Sequence, residues 1–325
     1  MMDSRKIKAL FHGIVSLREE NGELLPLRLT DRQLERYGGI PYCPFRYATA
    51  GICLKFITDA KTLSFTYRTG NLWGWWENGE PCFDIYENGM LRDFYPVAGG
   101  EESHTVRFDR KGLGTESEFV IYFPHNAEVR LCDVDFGNAV PVPEAERKFL
   151  ILGDSISQGL MGNSASFCYT AQLARFFDAE LLNLSVGGEC FDETALDPQL
   201  PYSPTDVIVA LGTNDAAIIA DYDKVVANMT RYLDRVCTLY KGCRLYVITP
   251  PYLMNAEAEG AGQYNLQCRI SEMIRIEAER RGIRVLSGEK AVPHHSRFFS
   301  DAAHPNDLGF SQYALYLIRE LEKDR

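Results

Sequence analysis

The sequence predicts an all-β sandwich followed by a three-layer α/β domain built on a mainly parallel sheet. Three observations carry this expectation. Apolar residues alternate with a period of two from about residue 45 to 136, as in strands with one buried face. A proline-punctuated polar stretch, Pro141-Val142-Pro143-Glu144-Ala145-Glu146, comes next and reads as a linker. Beyond it, short continuous apolar runs alternate with helical stripes, the pattern of an α/β layer structure. At 325 residues the chain exceeds the usual size of one domain. The expected division is a β-sandwich domain at 1–140, a linker at 141–146 and an α/β domain at 147–325.

In the first part, Ile52, Leu54 and Phe56 alternate with Cys53 and Lys55, and Leu63, Phe65 and Tyr67 repeat the pattern. Phe119, Ile121 and Phe123 do so again, and Asn88-Gly89 between two such runs is a hairpin signal. Many short strands without a helical window indicate a sandwich or jelly roll. In the second part, Phe149-Leu150-Ile151-Leu152, Leu181-Leu182-Asn183-Leu184, Val207-Ile208-Val209-Ala210-Leu211 and Leu245-Tyr246-Val247-Ile248 read as buried strands. Tyr222, Val225, Val226, Met229, Tyr232, Leu233, Val236 and Tyr240 form one helical stripe. A further helix carries Leu266, Ile270, Met273 and Ile274 and closes on Arg280-Arg281-Gly282.

Composition narrows the function. A net charge of −11 argues against nucleic-acid or anionic-membrane partners, since both are bound through an excess of Lys and Arg. A neutral ligand such as a sugar or small ester stays open. No apolar stretch is long enough to span a bilayer, and the start Met1-Met2-Asp3-Ser4-Arg5-Lys6 leads into no signal-peptide core. Nine cysteines without a C-x-x-C pair fit reduced thiols, so a cytoplasmic location is expected, with a secreted form as the alternative.

The residues just after the strand runs gather the chemistry, because ligands of parallel α/β sheets bind outside the carboxyl ends of the strands. Gly153-Asp154-Ser155 follows the first run, Asn183-Leu184-Ser185-Val186-Gly187-Gly188 the second, and Gly212-Thr213-Asn214-Asp215 the third. Asp301-Ala302-Ala303-His304 stands before the last helix. A serine hydroxyl is a poor nucleophile until a base takes its proton, and histidine suits that task. Ser155 is the candidate nucleophile, His304 the candidate base, and Asp301 the carboxylate able to fix the imidazole tautomer. Oxyanion donors are expected from the Ser155 N–H, a backbone N–H of the Gly187-Gly188 pair and the Asn214 amide. Asp154 reads as a loop-holding residue. His294 and His295 have no zinc-type spacing to the other histidine, so neither metal nor cofactor is expected.

These four blocks resemble those of the SGNH (GDSL-type) hydrolase family over roughly residues 147 to 320. The resemblance implies a flavodoxin-like sheet flanked by helices and hydrolysis of esters through an acyl-serine intermediate. It also implies Gly188 as the backbone oxyanion donor of the glycine pair, with Gly187 as the competing donor. A sandwich placed before such a domain is similar to the arrangement in the second family of carbohydrate esterases. The substrate implied is a small-molecule or oligosaccharide ester carrying an acetyl or other short acyl group. A lipase, lysophospholipase or thioesterase on the same core is the alternative, and a non-catalytic carbohydrate-binding protein the remote one. Trp75 and Trp76, in the segment Leu72-Trp73-Gly74-Trp75-Trp76, are candidate sugar-stacking residues. The competing reading buries them in the sandwich core or against the α/β domain.

Overall fold

The computed structural model describes residues 4–39, 44–72, 81–100, 102–254 and 262–324. Eleven short strands come first: β1 (Phe11–His12), β2 (Ser16–Glu20), β3 (Glu23–Leu27), β4 (Cys53–Thr58), β5 (Thr62–Leu72) and β6 (Cys82–Glu87). They continue as β7 (Met90–Pro96), β8 (His104–Asp109), β9 (Ser117–Tyr122), β10 (Ala127–Asp135) and β11 (Val140–Pro141). They form two antiparallel sheets. One runs β1-β4-β9-β6-β7 with β11 also on β4, and the other runs β2-β3-β10-β5-β8. Alternate residues of both sheets, among them Leu54, Phe56, Phe83, Phe119 and Ile121 facing Phe65, Tyr67, Val106 and Leu131, share one apolar core. The Asn88-Gly89 turn joins β6 to β7 with both residues at positive φ, 50° and 75°, the conformation a two-residue hairpin turn requires. Val140 and Pro141, at the edge of the expected linker, pair with Ile57 and Phe56 of β4.

The α/β part holds β12 (Arg147–Gly153), β13 (Ala179–Asn183), β14 (Asp206–Ala210), β15 (Arg244–Ile248) and β16 (Arg284–Leu286). All four pairings are parallel, in the order β13-β12-β14-β15-β16. Numbered within this sheet the order is 2-1-3-4-5, the flavodoxin-like arrangement whose switch point lies between the first and third strands. Successive residues of β12 point to opposite faces. Leu150 and Leu152 pack with α5 (Tyr222–Leu239) and α6 (Gly262–Arg280), while Phe149 and Ile151 pack with α4 (Tyr169–Phe176) and α7 (Asp307–Leu321). Helix α3 (Ser155–Gln158) is a single turn directly after β12.

Two short helices precede these, α1 (Ser4–Lys8) and α2 (Asp31–Gly38). The expected domain at 1–140 is all-β, yet Leu34 and Tyr37 of α2 join the α/β core together with Leu25, Leu27 and Leu29. Residues before the linker therefore complete the layer over β12 and β14. The Thr30 hydroxyl caps α2 by accepting the Gln33 N–H, and the Gln33 side chain accepts the Thr30 N–H in return. No helix among the described residues is long and apolar enough to cross a membrane.

Candidate active site

Ser155 opens α3 at the switch point, where β12 ends beside β14. The Asp154 carboxylate caps this turn by accepting the Ile156 N–H at 3.0 Å. Ser155 is 9% exposed, so it is largely withdrawn from solvent. His304 lies in the loop before α7, 149 residues away, and its Nε2 stands 2.8 Å from Ser155 Oγ. On the other side of the ring, Nδ1 stands 2.8 Å from Asp301 Oδ2. Asp301 Oδ1 accepts the N–H groups of Ala303 at 2.8 Å and His304 at 2.6 Å. Burial works to raise the Asp301 pKa, but the His304 hydrogen bond and charge together with these N–H donors prevail and hold it at about 2. The loop itself is pinned by the Ser300 N–H to the His304 carbonyl at 2.9 Å and by the Ser300 hydroxyl to the Met161 carbonyl at 2.8 Å.

The two glycines after β13 differ physically. A Cβ on Gly187 would stand 2.8 Å from Phe45 Cδ2 and 3.1 Å from Leu160 Cδ1, so this position is closed by packing. Gly188 has φ +82° and would place a Cβ in open space; there it is the backbone conformation that requires glycine. The Gly187 N–H donates to Gln158 Oε1 at 2.9 Å. The N–H groups of Gly188 and Ser155 have no acceptor among the described residues. Asn214, after β14, uses one amide hydrogen on the Glu189 carbonyl at 3.1 Å, and the second has no acceptor among the described residues.

This glycine loop is held by the N-terminal segment. Arg36 of α2 clamps the Glu189 carboxylate with both terminal nitrogens, at 3.0 and 3.1 Å, and reaches Asp192 at 2.9 Å. The guanidinium of Arg28, 1% exposed, donates to the carbonyls of Asn183 and Ser185 at 2.9 and 2.7 Å and to Ala48 at 2.7 Å. Sequence reading missed both arginines, because their partners on the glycine loop lie more than 150 residues away. The Thr30 to Gln33 capping pattern was the one local signal pointing to α2. The sandwich contributes Asp84 of β6, whose carboxylate accepts the Ser164 hydroxyl and the Ser166 N–H in the loop after α3.

Asp215, next to Asn214, is fully buried. Its Oδ1 accepts the Phe191 N–H at 3.1 Å, while Oδ2 has no partner among the described residues. Burial, with the nearby Asp154 charge, pushes its pKa up to about 7, and burial pushes Asp154 up to about 6. A carboxyl whose folded pKa lies above its ordinary value stabilises the fold at low pH, and that contribution is lost as pH rises through the folded value. The melting temperature of Asp215→Asn relative to wild type is therefore expected to rise as pH goes from 5.5 to 8.5. Parallel melting curves for the two proteins across that range would refute it.

Trp75 and Trp76 lie outside the described residues. His294 stacks on Tyr252 with ring centroids 3.9 Å apart, and His295 accepts the Arg297 N–H. Among the described residues no group of three or more His, Cys, Asp or Glu side chains is placed to hold a metal ion. A cleft of about 510 Å³ opens beside Gly188, lined also by Arg36, Glu193, Lys224, Asn228 and Arg231.

A family model described as the GDSL-like Lipase/Acylhydrolase family matches residues 151–311, which hold all of these strand-end residues. The chain carries a domain of this family. It is a carboxylic ester hydrolase by that membership. A comparison with curated proteins finds no match. Among solved structures, the GDSL-like chain is similar to the salicylyl-acyltransferase SsfX3 from a tetracycline biosynthetic pathway, at 18% identity and a TM-score of 0.79. That match covers 96% of this chain and 94% of the other. A family two carbohydrate esterase from Cellvibrio japonicus matches at 18% identity, TM-score 0.66, covering 98% and 96%. One from Clostridium thermocellum in complex with cellohexaose matches at 18% identity, TM-score 0.63, covering 93% and 98%. At this identity the likeness is one of fold, and it extends over the sandwich as well as the GDSL-like domain.

Proposed function

We propose that the protein removes acetyl or other short acyl groups from carbohydrates, with Ser155 as nucleophile, His304 as base and Asp301 as its orienting carboxylate. The observation that carries this reading is the hydrogen-bonded line Ser155–His304–Asp301, together with the Ser155 and Gly188 N–H groups, which have no acceptor among the described residues. His304 Nε2 takes the Oγ proton as Oγ bonds to the ester carbonyl carbon. The carbonyl π electrons move onto its oxygen, which faces the Ser155 N–H, the Gly188 N–H and the second amide hydrogen of Asn214. His304 then protonates the departing sugar oxygen, and the acyl–serine bond is cleaved by water activated at the same imidazole. Asp301, ionised down to about pH 2, stabilises the imidazolium through both half-reactions.

The carbohydrate leaving group is supported by the charged and amide walls of the cleft beside Gly188, which suit hydroxyl groups better than a long alkyl chain. It is supported too by the full-length likeness to a carbohydrate esterase that binds cellohexaose. A substrate-binding role for Trp75 and Trp76 and a cytoplasmic setting acting on small oligosaccharides belong to the same proposal. Acid release from acetylated mono- and oligosaccharides, compared with acetyl, octanoyl and palmitoyl aryl esters, tests it. Acetate release from the sugars should exceed turnover of the octanoyl and palmitoyl esters. A preference for the palmitoyl ester would assign the protein to lipid or thioester substrates instead.

A further inference from the structure

Gln158 ends the helical turn that Ser155 begins, and its side chain is not part of the chemistry described above. It is 1% exposed, and both ends of its amide are used. Oε1 accepts the Gly187 N–H at 2.9 Å, and Nε2 donates to the His125 carbonyl of the sandwich at 3.0 Å. The reverse orientation would set an NH₂ against an N–H and a carbonyl against a carbonyl, so the surroundings permit one orientation of the amide. The Gln158 N–H also donates to the Asp154 carbonyl at 3.0 Å, which fixes the side chain's origin to the segment that carries the nucleophile.

One hydrogen bond thus joins the turn bearing Ser155 to the loop bearing Gly188, and a second braces it against the sandwich. It also removes Gly187 from competition: that N–H is consumed inside the protein, while the Gly188 N–H has no acceptor among the described residues. We propose that Gln158 is a positioning residue which selects the Gly188 N–H over that of Gly187 as the oxyanion donor and holds its aim. This rests on the ester-hydrolase reading of the site. Without the acceptor, a buried Gly187 N–H has no partner, and turning its peptide plane to find one misdirects the next N–H in the chain.

The test compares Gln158→Met, which keeps volume and loses both hydrogen bonds, with Gln158→Glu, which keeps an acceptor for Gly187. An acetyl ester is the substrate, and a boronic acid that forms a tetrahedral adduct on Ser155 is the second probe. For Gln158→Met, kcat should fall about 10- to 100-fold, a part of what loss of a whole oxyanion donor costs. KM should stay within about threefold, and the boronic acid should weaken in step with kcat. Gln158→Glu should retain more of kcat than Gln158→Met. The inference is overturned by an unchanged kcat in Gln158→Met, by a loss confined to KM, by unaltered boronic-acid affinity, or by equal loss in the two variants. Ser155→Ala run in parallel separates the two levels: full activity there refutes the ester-hydrolase reading itself, whatever Gln158 does.

Discussion

Ser155→Ala is expected to lower kcat for an acetyl ester by about 10⁶-fold, the scale seen when a serine hydrolase loses its nucleophile. The substitution removes one oxygen from a residue that is 9% exposed, so the fold should be kept and thermal melting should stay close to wild type. His304 would remain bonded to Asp301 through Nδ1, leaving a base without a nucleophile. Residual turnover would come from water at the same imidazole, aided by the Gly188 and Asn214 donors. Wild-type turnover of an aryl acetate by this variant would sink the serine mechanism.

Asp301→Asn is expected to cost about 10⁴-fold in kcat, through the tautomer of His304. Asp301 Oδ1 accepts two backbone N–H groups, so an asparagine there must keep its carbonyl oxygen on that side. Its NH₂ then faces His304 Nδ1, which has to become the acceptor. The ring proton moves to Nε2, where it blocks acceptance of the Ser155 proton across the 2.8 Å contact. The effect should appear in kcat across the neutral range and not as a shifted substrate affinity. Because the Asp301 pKa is depressed to about 2, its ionised form, and the stability that form brings, is present above the ordinary carboxylate range and lost only as pH falls through about 2. The acid limb of the wild-type pH–rate profile should therefore not track Asp301. If Asp301→Asn matches wild type, the working unit is a Ser155–His304 dyad.

Legibility differed between elements for physical reasons. Strands β12, β14 and β15 are buried on both faces, so their sequences are near-continuous apolar runs with sharp ends, and the residues following them stand out. Helix α5 packs one face on the sheet, and its stripe from Tyr222 to Tyr240 shows the period directly. By contrast α2 is eight residues long, and only Leu34 and Tyr37 among its apolar residues reach the core. Strand β16 has three residues, too few for a period. Asp215 looks like an ordinary polar residue after a strand. Its burial comes from Phe191 and the loops around it, which no local pattern records.

Gly153-Asp154-Ser155, Asn214 and Asp301-x-x-His304 are readable in the chain because each follows a strand or precedes a helix whose own pattern is local. Sequence alone therefore determined a β-rich part followed by an α/β part, and it supplied the candidate residues at the strand ends. It favoured Gly188 over Gly187 only by resemblance to a family pattern, since two adjacent residues without side chains offer no physical ground to distinguish them. The tertiary structure separates them through Phe45 and Gln158, one residue filling the space beside Gly187 and the other taking its N–H. It also placed Arg28 and Arg36 of the N-terminal segment on the glycine loop. Periodicity reports which face of an element is buried, whereas a hydrogen bond between residues 29 or 153 positions apart leaves no periodic trace.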